Sequence, residues 1–247
     1  MKNYIIFSLM VILIKINGLA QNGDLPSDME DEGKPSPHYA GFDIGMGTLL
    51  LDNEAAYPYW KASDLNLTTF NFNLLEYKLP IVKHYLGLTT GLGAGINSIR
   101  LQQYDISHVA TVPGGKTDTI FGVTNNIQNY RTNSLSFFTL NVPLMLEVCS
   151  KATAKKSFYL DIGAVGYWNI GGSWATSGKY LNGDRFSNTV NSRFQMAPFG
   201  AYATVRTGFS YIGIFANYNL TNLFKKDATG AVVPFTAGLT LNWDIMK

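Results

Sequence analysis

The sequence predicts an all-β protein: an eight-stranded, antiparallel, up-and-down transmembrane β-barrel. Three observations predict it. Apolar and polar residues alternate in about eight segments between Tyr39 and Trp243, and strand side chains alternate between two faces. The connections between those segments alternate short and long, the pattern of a barrel with turns on one rim and loops on the other. Each apolar face is five or six residues deep, so a strand covers about the 9–11 tilted residues that cross a bilayer.

Composition agrees. Of 247 residues, 15% are charged, against about 25% in an average soluble domain. A net charge of +2 is too near neutral to point to nucleic acid or a strongly acidic partner. One cysteine, Cys149, excludes an intrachain disulfide and a cysteine zinc cluster, and three histidines leave little for a metal site. No cofactor is expected.

The amino terminus has the layout of a secretory signal peptide over residues 1–20. Lys2 precedes the apolar run Tyr4–Ile16, and Gly18-Leu19-Ala20 supplies small residues before a cut at Gln21. That run, broken by Lys15, falls short of the ~20 residues of a spanning helix. The residue directly after the cut is Gln21 and not a cysteine, which argues against a lipoprotein anchor, and loss of Lys2 and Lys15 leaves a formally neutral mature chain. Residues 21–38 are acidic, rich in proline and glycine and without periodicity, and read as a flexible periplasmic lead-in. The barrel is assigned to residues 39–247.

The first strand is expected at Tyr39–Leu50, with Ala40, Phe42, Ile44 and Met46 opposite Gly41, Asp43, Gly45 and Gly47. In the second, Leu65–Leu79, the alternation slips between Phe70-Phe72-Leu74 and Leu75-Tyr77-Leu79, which a β-bulge at Leu74–Leu75 reconciles. The third, Tyr85–Leu101, sets leucine, alanine and isoleucine against a row of glycines. The fourth is Leu135–Val148 and the fifth Phe158–Ile170; the sixth, Phe194–Arg206, is the least clean, with Ala197, Phe199, Ala201, Ala203 and Val205 taken as its apolar face. The seventh is Phe209–Leu220. In the eighth, Val233–Trp243, every second residue is apolar: Val233, Phe235, Ala237, Leu239, Leu241 and Trp243. The short connections are Pro80–His84, Cys149–Ser157 and Thr207–Gly208; the long ones are Asp52–Asp64, Gln102–Ser134, Gly171–Arg193 and Thr221–Ala231. An even strand number places both termini on the periplasmic side.

The apolar faces are expected to meet lipid. Aromatics gather at strand ends: Tyr57, Tyr59, Trp60, Trp168 and Tyr218 toward the loops, Tyr85, Phe158, Phe209 and Trp243 toward the turns, as in the belts at bilayer interfaces. The opposite faces carry Asp43, Glu147, Asp161 and many glycines, with Tyr39, Tyr159, Tyr167 and Phe215 to fill the space. A lumen of eight strands is just wide enough for side chains. Buried Asp43, Glu147 and Asp161 need cations, and Arg206 or Lys78 can supply them. A plugged interior follows, not a diffusion pore.

Thr236, Gly238, Leu241 and Trp243 fit the carboxy-terminal signal read by the barrel-assembly machinery, although Asp244–Lys247 follow the final aromatic. Several further stretches resemble the PorT-like outer-membrane β-barrel proteins of Bacteroidetes: Asn71–Tyr77 (NFNLLEY), Thr90–Ala94 (TGLGA), Leu140–Glu147 (LNVPLMLE) and Tyr218–Phe224 (YNLTNLF). The resemblance implies an outer-membrane barrel of a Gram-negative bacterium. It implies no activity, and its namesake's tie to secretion does not transfer on fold alone.

Catalysis has one candidate, Asp105, Ser107 and His108 in the second outer loop, where a histidine could activate a serine; a polar loop is the plainer reading. Gly114-Gly115-Lys116 reads as a hairpin tip between His108–Val112 and Thr117–Val123, not a phosphate loop. Lys151, Lys155 and Lys156 read as a solvated turn. The sequence thus predicts a non-enzymatic outer-membrane barrel with a structural, adhesion or secretion-accessory role. Its partners are membrane lipid, the assembly machinery and a surface or secretion-system partner at the long loops. The alternatives are an outer-leaflet lipid-modifying hydrolase and a soluble periplasmic ligand-binding barrel.

Overall fold

The computed structural model describes residues 37–51, 65–101, 105–112, 116–122, 127–151, 157–225 and 231–242, by backbone alone at 105–112, 116–122 and 127–128. The described residues form eleven strands: β1 Gly41–Leu51, β2 Leu67–Val82, β3 Leu86–Arg100, β4 Asp105–Val112, β5 Lys116–Gly122, β6 Ile127–Cys149, β7 Phe158–Tyr180, β8 Arg185–Ser192, β9 Phe199–Phe209, β10 Ile212–Asn219 and β11 Val232–Asn242. Eight of them close a ring in the order β6-β3-β2-β1-β11-β10-β9-β7, and β7 returns to β6. The described pairings within it are antiparallel. The all-β, closed up-and-down barrel is therefore the fold.

Three strands lie outside the ring. β4 and β5 pair only with each other, the hairpin expected around Gly114. β8 pairs with the far half of β7, Gly172–Lys179, while β9 pairs with the near half, Phe158–Trp168. The segment Gly171–Arg193, expected as a loop, is instead largely sheet. β6 and β7 are each 23 residues long, about twice a crossing, so they carry a ribbon beyond the barrel. The same length corrects the fourth and fifth strands, expected to stop at Leu135 and Ile170.

The sixth strand also differs. It runs Phe199–Phe209, not Phe194–Arg206, and the turn falls at Ser210–Tyr211 rather than Thr207–Gly208. Phe194 and Gln195 have φ of 46° and 55°, a left-handed conformation that breaks a strand. Phe194 and Met196 point into the barrel mouth instead. In β2 the register shifts between Asn73 and Leu75, which is the bulge the slipping alternation required. At the other end of β1, Ala40 is buried rather than outward.

Outward residues are apolar and exposed through the middle of the barrel, among them Ile44, Phe70, Ile96, Val142, Leu144, Ile162, Val205, Ile214 and Leu239. On β6 this band spans Phe138–Val148. Rising about 3.3 Å per residue with a tilt near 40°, it stands roughly 25 Å tall. Toward the loops both faces change sign at one level. Phe70, Ile96 and Phe138 form the last apolar row outside; Thr68, Ser98 and Ser136 form the next. Inside, Leu67, Ile99 and Leu135 form one buried row; the next row down is Thr69, Asn97 and Phe137, and the one below it Asn71, Gly95 and Thr139. With Leu49, Leu101, Phe137, Phe194, Met196, Leu223, Phe224 and Val232 the first of these rows makes an apolar core that stops the mouth.

Inward glycines admit large neighbours. A Cβ on Gly213 would collide with the Tyr159 hydroxyl and approach Thr240 Cγ2 to 2.9 Å. Gly213→Ala is expected to destabilise the barrel by about 1–3 kcal/mol through overpacking. A lower urea midpoint for unfolding in detergent micelles is the check, and an unchanged midpoint would show that Tyr159 moves freely.

Candidate functional site

The polar residues of the lumen gather toward the turn end as two linked clusters. β1 supplies Asp43, β9 Arg206 and β11 Thr240, all inward by strand parity. Arg206 grips Asp43 with both ends of its guanidinium, Nη1 to Oδ2 at 2.9 Å and Nη2 to Oδ1 at 2.6 Å. Nη2 also donates to Thr240 Oγ1 at 2.8 Å, and Asn73 Nδ2 donates to Asp43 Oδ2 at 3.0 Å. The guanidinium carbon lies 5.4 Å from the ring centre of Tyr39 and 5.9 Å from that of Phe215. Bidentate geometry, a second acceptor and two aromatic rings together compensate the removal of both charges from water.

Glu147 on β6 anchors the second cluster. Its Oε1 accepts from Lys78 Nζ at 3.0 Å and from His38 Nδ1 at 2.8 Å, while Oε2 accepts from Thr89 Oγ1 at 2.6 Å. Lys78 also donates to Cys149 Sγ at 3.1 Å and to the His84 carbonyl at 3.2 Å. The Cys149 thiol donates to the same carbonyl at 2.6 Å. Thus β2, β3, β6 and the turn before β3 are tied at one point.

Sequence reasoning placed Asp43, Glu147, Asp161 and Arg206 in one polar lumen, and all four are buried there. It also named both cations. Asp161 differs from the expectation that each acid finds a cation. It stands directly beside Glu147 and Arg206 across the ladders, yet both of its carboxylate oxygens lack a hydrogen-bond partner. Arg206 is already committed to Asp43.

His38 and Glu76 were missed. The lead-in boundary left His38 outside the barrel, whereas its side chain is fully buried and stacks on Tyr159 with ring centres 4.4 Å apart at 14°. Glu76 Oε2 accepts the backbone N–H groups of Tyr39 and Ala40 at 2.8 and 2.6 Å, replacing the strand partners that these residues lack. The outward-pointing bulge before Glu76 was legible; the parity it gives Glu76 was the available signal. His38→Ala is expected to cost about 1–3 kcal/mol by removing a buried hydrogen bond to a carboxylate. Limited proteolysis followed by mass spectrometry should show new cleavage between Pro37 and Gly41. An unchanged cleavage boundary would mean that His38 does not hold the segment.

Between the Arg206 cluster and the apolar stopper lies a small chamber lined by Asn71, Thr139, Asn141, Tyr167, Tyr202 and Asn217, of about 40 Å³. A buried water needs at least ~10–15 Å³ on this measure, so the space suits a few waters and no solute. The other proposed residues fall partly outside the described set. Thr236, Gly238 and Leu241 lie on β11, Thr236 buried and Leu241 exposed, and Trp243 lies beyond the described residues. So do residues 1–36, Tyr57, Tyr59, Trp60, Lys155, Lys156 and the side chains of Asp105, Ser107 and His108, whose backbone belongs to β4. Tyr85, Phe158, Phe209 and Tyr218 are exposed at or next to strand ends, whereas Trp168, expected at one, is exposed at the middle of the longer β7.

No family model matches the chain. No curated protein matches it either. Among solved structures it is similar to two of Ail, the attachment invasion locus protein of Yersinia pestis. One is the protein in complex with the heparin analogue sucrose octasulfate, at 13% identity and a TM-score of 0.31, covering 82% of this chain and 95% of that one. The other is Ail itself, at 13% identity and a TM-score of 0.31, covering 83% of this chain and 99% of that one.

Proposed function

We propose that the chain is an integral outer-membrane β-barrel without enzymatic activity, which holds a β-ribbon above the membrane surface for contact with a partner, as in adhesion. The observation that carries this is the shared change of sign on both barrel faces. Where the outside turns from Phe70, Ile96 and Phe138 to Thr68, Ser98 and Ser136, the inside turns from polar to apolar. A soluble barrel has no reason to be apolar outside and polar inside over one depth and the reverse above it. A barrel leaving hydrocarbon for water has that reason on every strand. Above the level, β6, β7 and β8 continue as a ribbon, and β8 is exposed along its length apart from Phe186.

A sealed lumen supports a display role over transport. The resemblance to the PorT-like barrels of Bacteroidetes and a periplasmic placement of both termini belong to the same reading. A secretion-accessory role differs only in the partner the ribbon meets.

Membrane fractionation combined with heat-modifiable gel mobility tests the reading. The protein is expected in the outer-membrane fraction, extracted only by detergent, with a mobility shift on boiling. A protein soluble without detergent and lacking the shift would sink it. His108→Ala is expected to leave the cell's lipid A and phospholipid profiles unchanged; an altered profile would restore the hydrolase alternative.

A further inference from the structure

The apolar band is not uniform. On the outer face of β2, β3, β6 and β7 a groove of about 230 Å³ opens between Phe70, Phe72, Ala94, Ile96, Phe138 and Ile170. Its cause is local. Ala94 lies between Phe72 and Leu140 in the ladder, so a methyl group stands where its neighbours carry large side chains. Beside it the register of β6 and β7 shifts at Phe138/Thr139, leaving Ile170 unpaired, and a bulge of this kind opens a gap in a side-chain row. The groove is lined by carbon and occupies the first two apolar rows below the level where the outside becomes polar.

Immediately above it the chemistry changes to hydroxyls and cations. Ser136 Oγ donates to Ser98 Oγ at 3.0 Å, and both face outward in the first polar row. Arg100, two residues beyond Ser98, is exposed on the same face, with exposed Lys179 and Arg185 paired further up on β7 and β8. Among the described residues of that outer face the one acid is Asp184, in the turn between β7 and β8. An arginine just above hydrocarbon sits at the depth of lipid phosphates and binds them by paired N–H donors.

We propose that this face binds one phosphoglycolipid of the outer leaflet, a lipid A, with an acyl chain in the groove over Ala94 and a phosphate on Arg100. The proposal rests on the outer-membrane reading, because that reading puts the loop-side end of the barrel in the leaflet that carries such lipids. A zwitterionic phospholipid offers the chain and one shielded phosphate; lipid A offers two exposed phosphates on a sugar that the serine hydroxyls can meet. Charge and depth therefore favour lipid A.

The full chain in detergent micelles, titrated with bisphosphorylated lipid A and separately with phosphatidylcholine, tests this, with bound lipid counted by native mass spectrometry. The wild-type protein is expected to hold lipid A at least tenfold tighter than phosphatidylcholine. Ala94→Trp, which fills the groove, and Arg100→Glu are each expected to weaken lipid A at least tenfold. Ala216→Trp, outward on β10 across the ring, is expected to change nothing. Arg100 stands above the band, so R100E folds and keeps the test open even where A94W does not. Wild-type affinity in either R100E or folded A94W, a loss in A216W as large as theirs, or no preference over phosphatidylcholine overturns the proposal. A heat-modifiable barrel without that preference overturns this site alone; a protein that needs no detergent and shows no heat shift overturns the membrane reading with it.

Discussion

Replacing Arg206 by methionine is expected to destabilise the barrel by about 3–5 kcal/mol, the range for removing one partner of a buried ion pair. Arg206 and Asp43 are 4% and 2% exposed, and the pair joins β9 to β1 across the lumen. Methionine fills similar volume but leaves Asp43 with the Asn73 amide as its donor and strips Thr240 Oγ1 of the guanidinium N–H it accepts. It also removes the cation nearest Asp161, which already lacks hydrogen bonds. Asp43, Glu147 and Asp161 would then share the turn end of the lumen with Lys78 and His38, both of which are already on Glu147. Urea unfolding in micelles, followed by heat-modifiable mobility, gives the loss directly. Pairing the change with Asp43→Asn should recover part of it, because the cost lies in the stranded carboxylate more than in the lost contact. A single variant as stable as the wild type would mean that water reaches Asp43.

Leu239→Arg is expected to cost roughly 2–4 kcal/mol, the price of a cation on the lipid face of a barrel near the midplane. Leu239 is 60% exposed and lies in the middle of β11, flanked by Ile44 and Ile214 on the neighbouring strands. Its neighbour Thr240 faces inward and is fully buried, holding Arg206 and donating to Asn242 Oδ1 at 3.1 Å. Thr240→Ser keeps the hydroxyl and should be nearly silent. Thr240→Val removes it and should cost about 1–3 kcal/mol, the cost of a lost buried hydrogen bond. Measured in lipid vesicles, equal costs for L239R and T240S would mean that the two faces are exchanged.

Both predictions depend on parity, and parity was the legible part of this chain. The eight ring strands, the bulge at Leu74–Leu75 and the inward placement of Asp43, Glu147, Asp161 and Arg206 follow from a period of two. That period is local: each residue reports its face relative to the next. Strand six was misplaced for the same reason, because Phe194 and Met196 have the alternation of a strand but serve in the stopper. Their apolar character records burial, and burial inside a mouth looks the same in sequence as exposure to lipid.

The long extensions of β6 and β7 were hidden by composition. Residues such as Thr132, Ser134, Ser173 and Ser177 are polar on the outward side because they stand in water, so they read as loop. The inverted rows, with Leu135 and Ile99 inside, become visible only when neighbouring strands are laid in register.

The sequence by itself determined the class of this protein. Alternation and the order of short and long connections specify a barrel with an apolar outside, because these depend on neighbours a few residues apart. Tertiary structure alone decided the partners: Arg206 with Asp43 across 163 positions, His38 and Lys78 on Glu147 across 109 and 69. It alone left Asp161 unbonded and opened the groove over Ala94. Ring closure brings these residues together, and which strands become neighbours across the lumen is not written in any one of them.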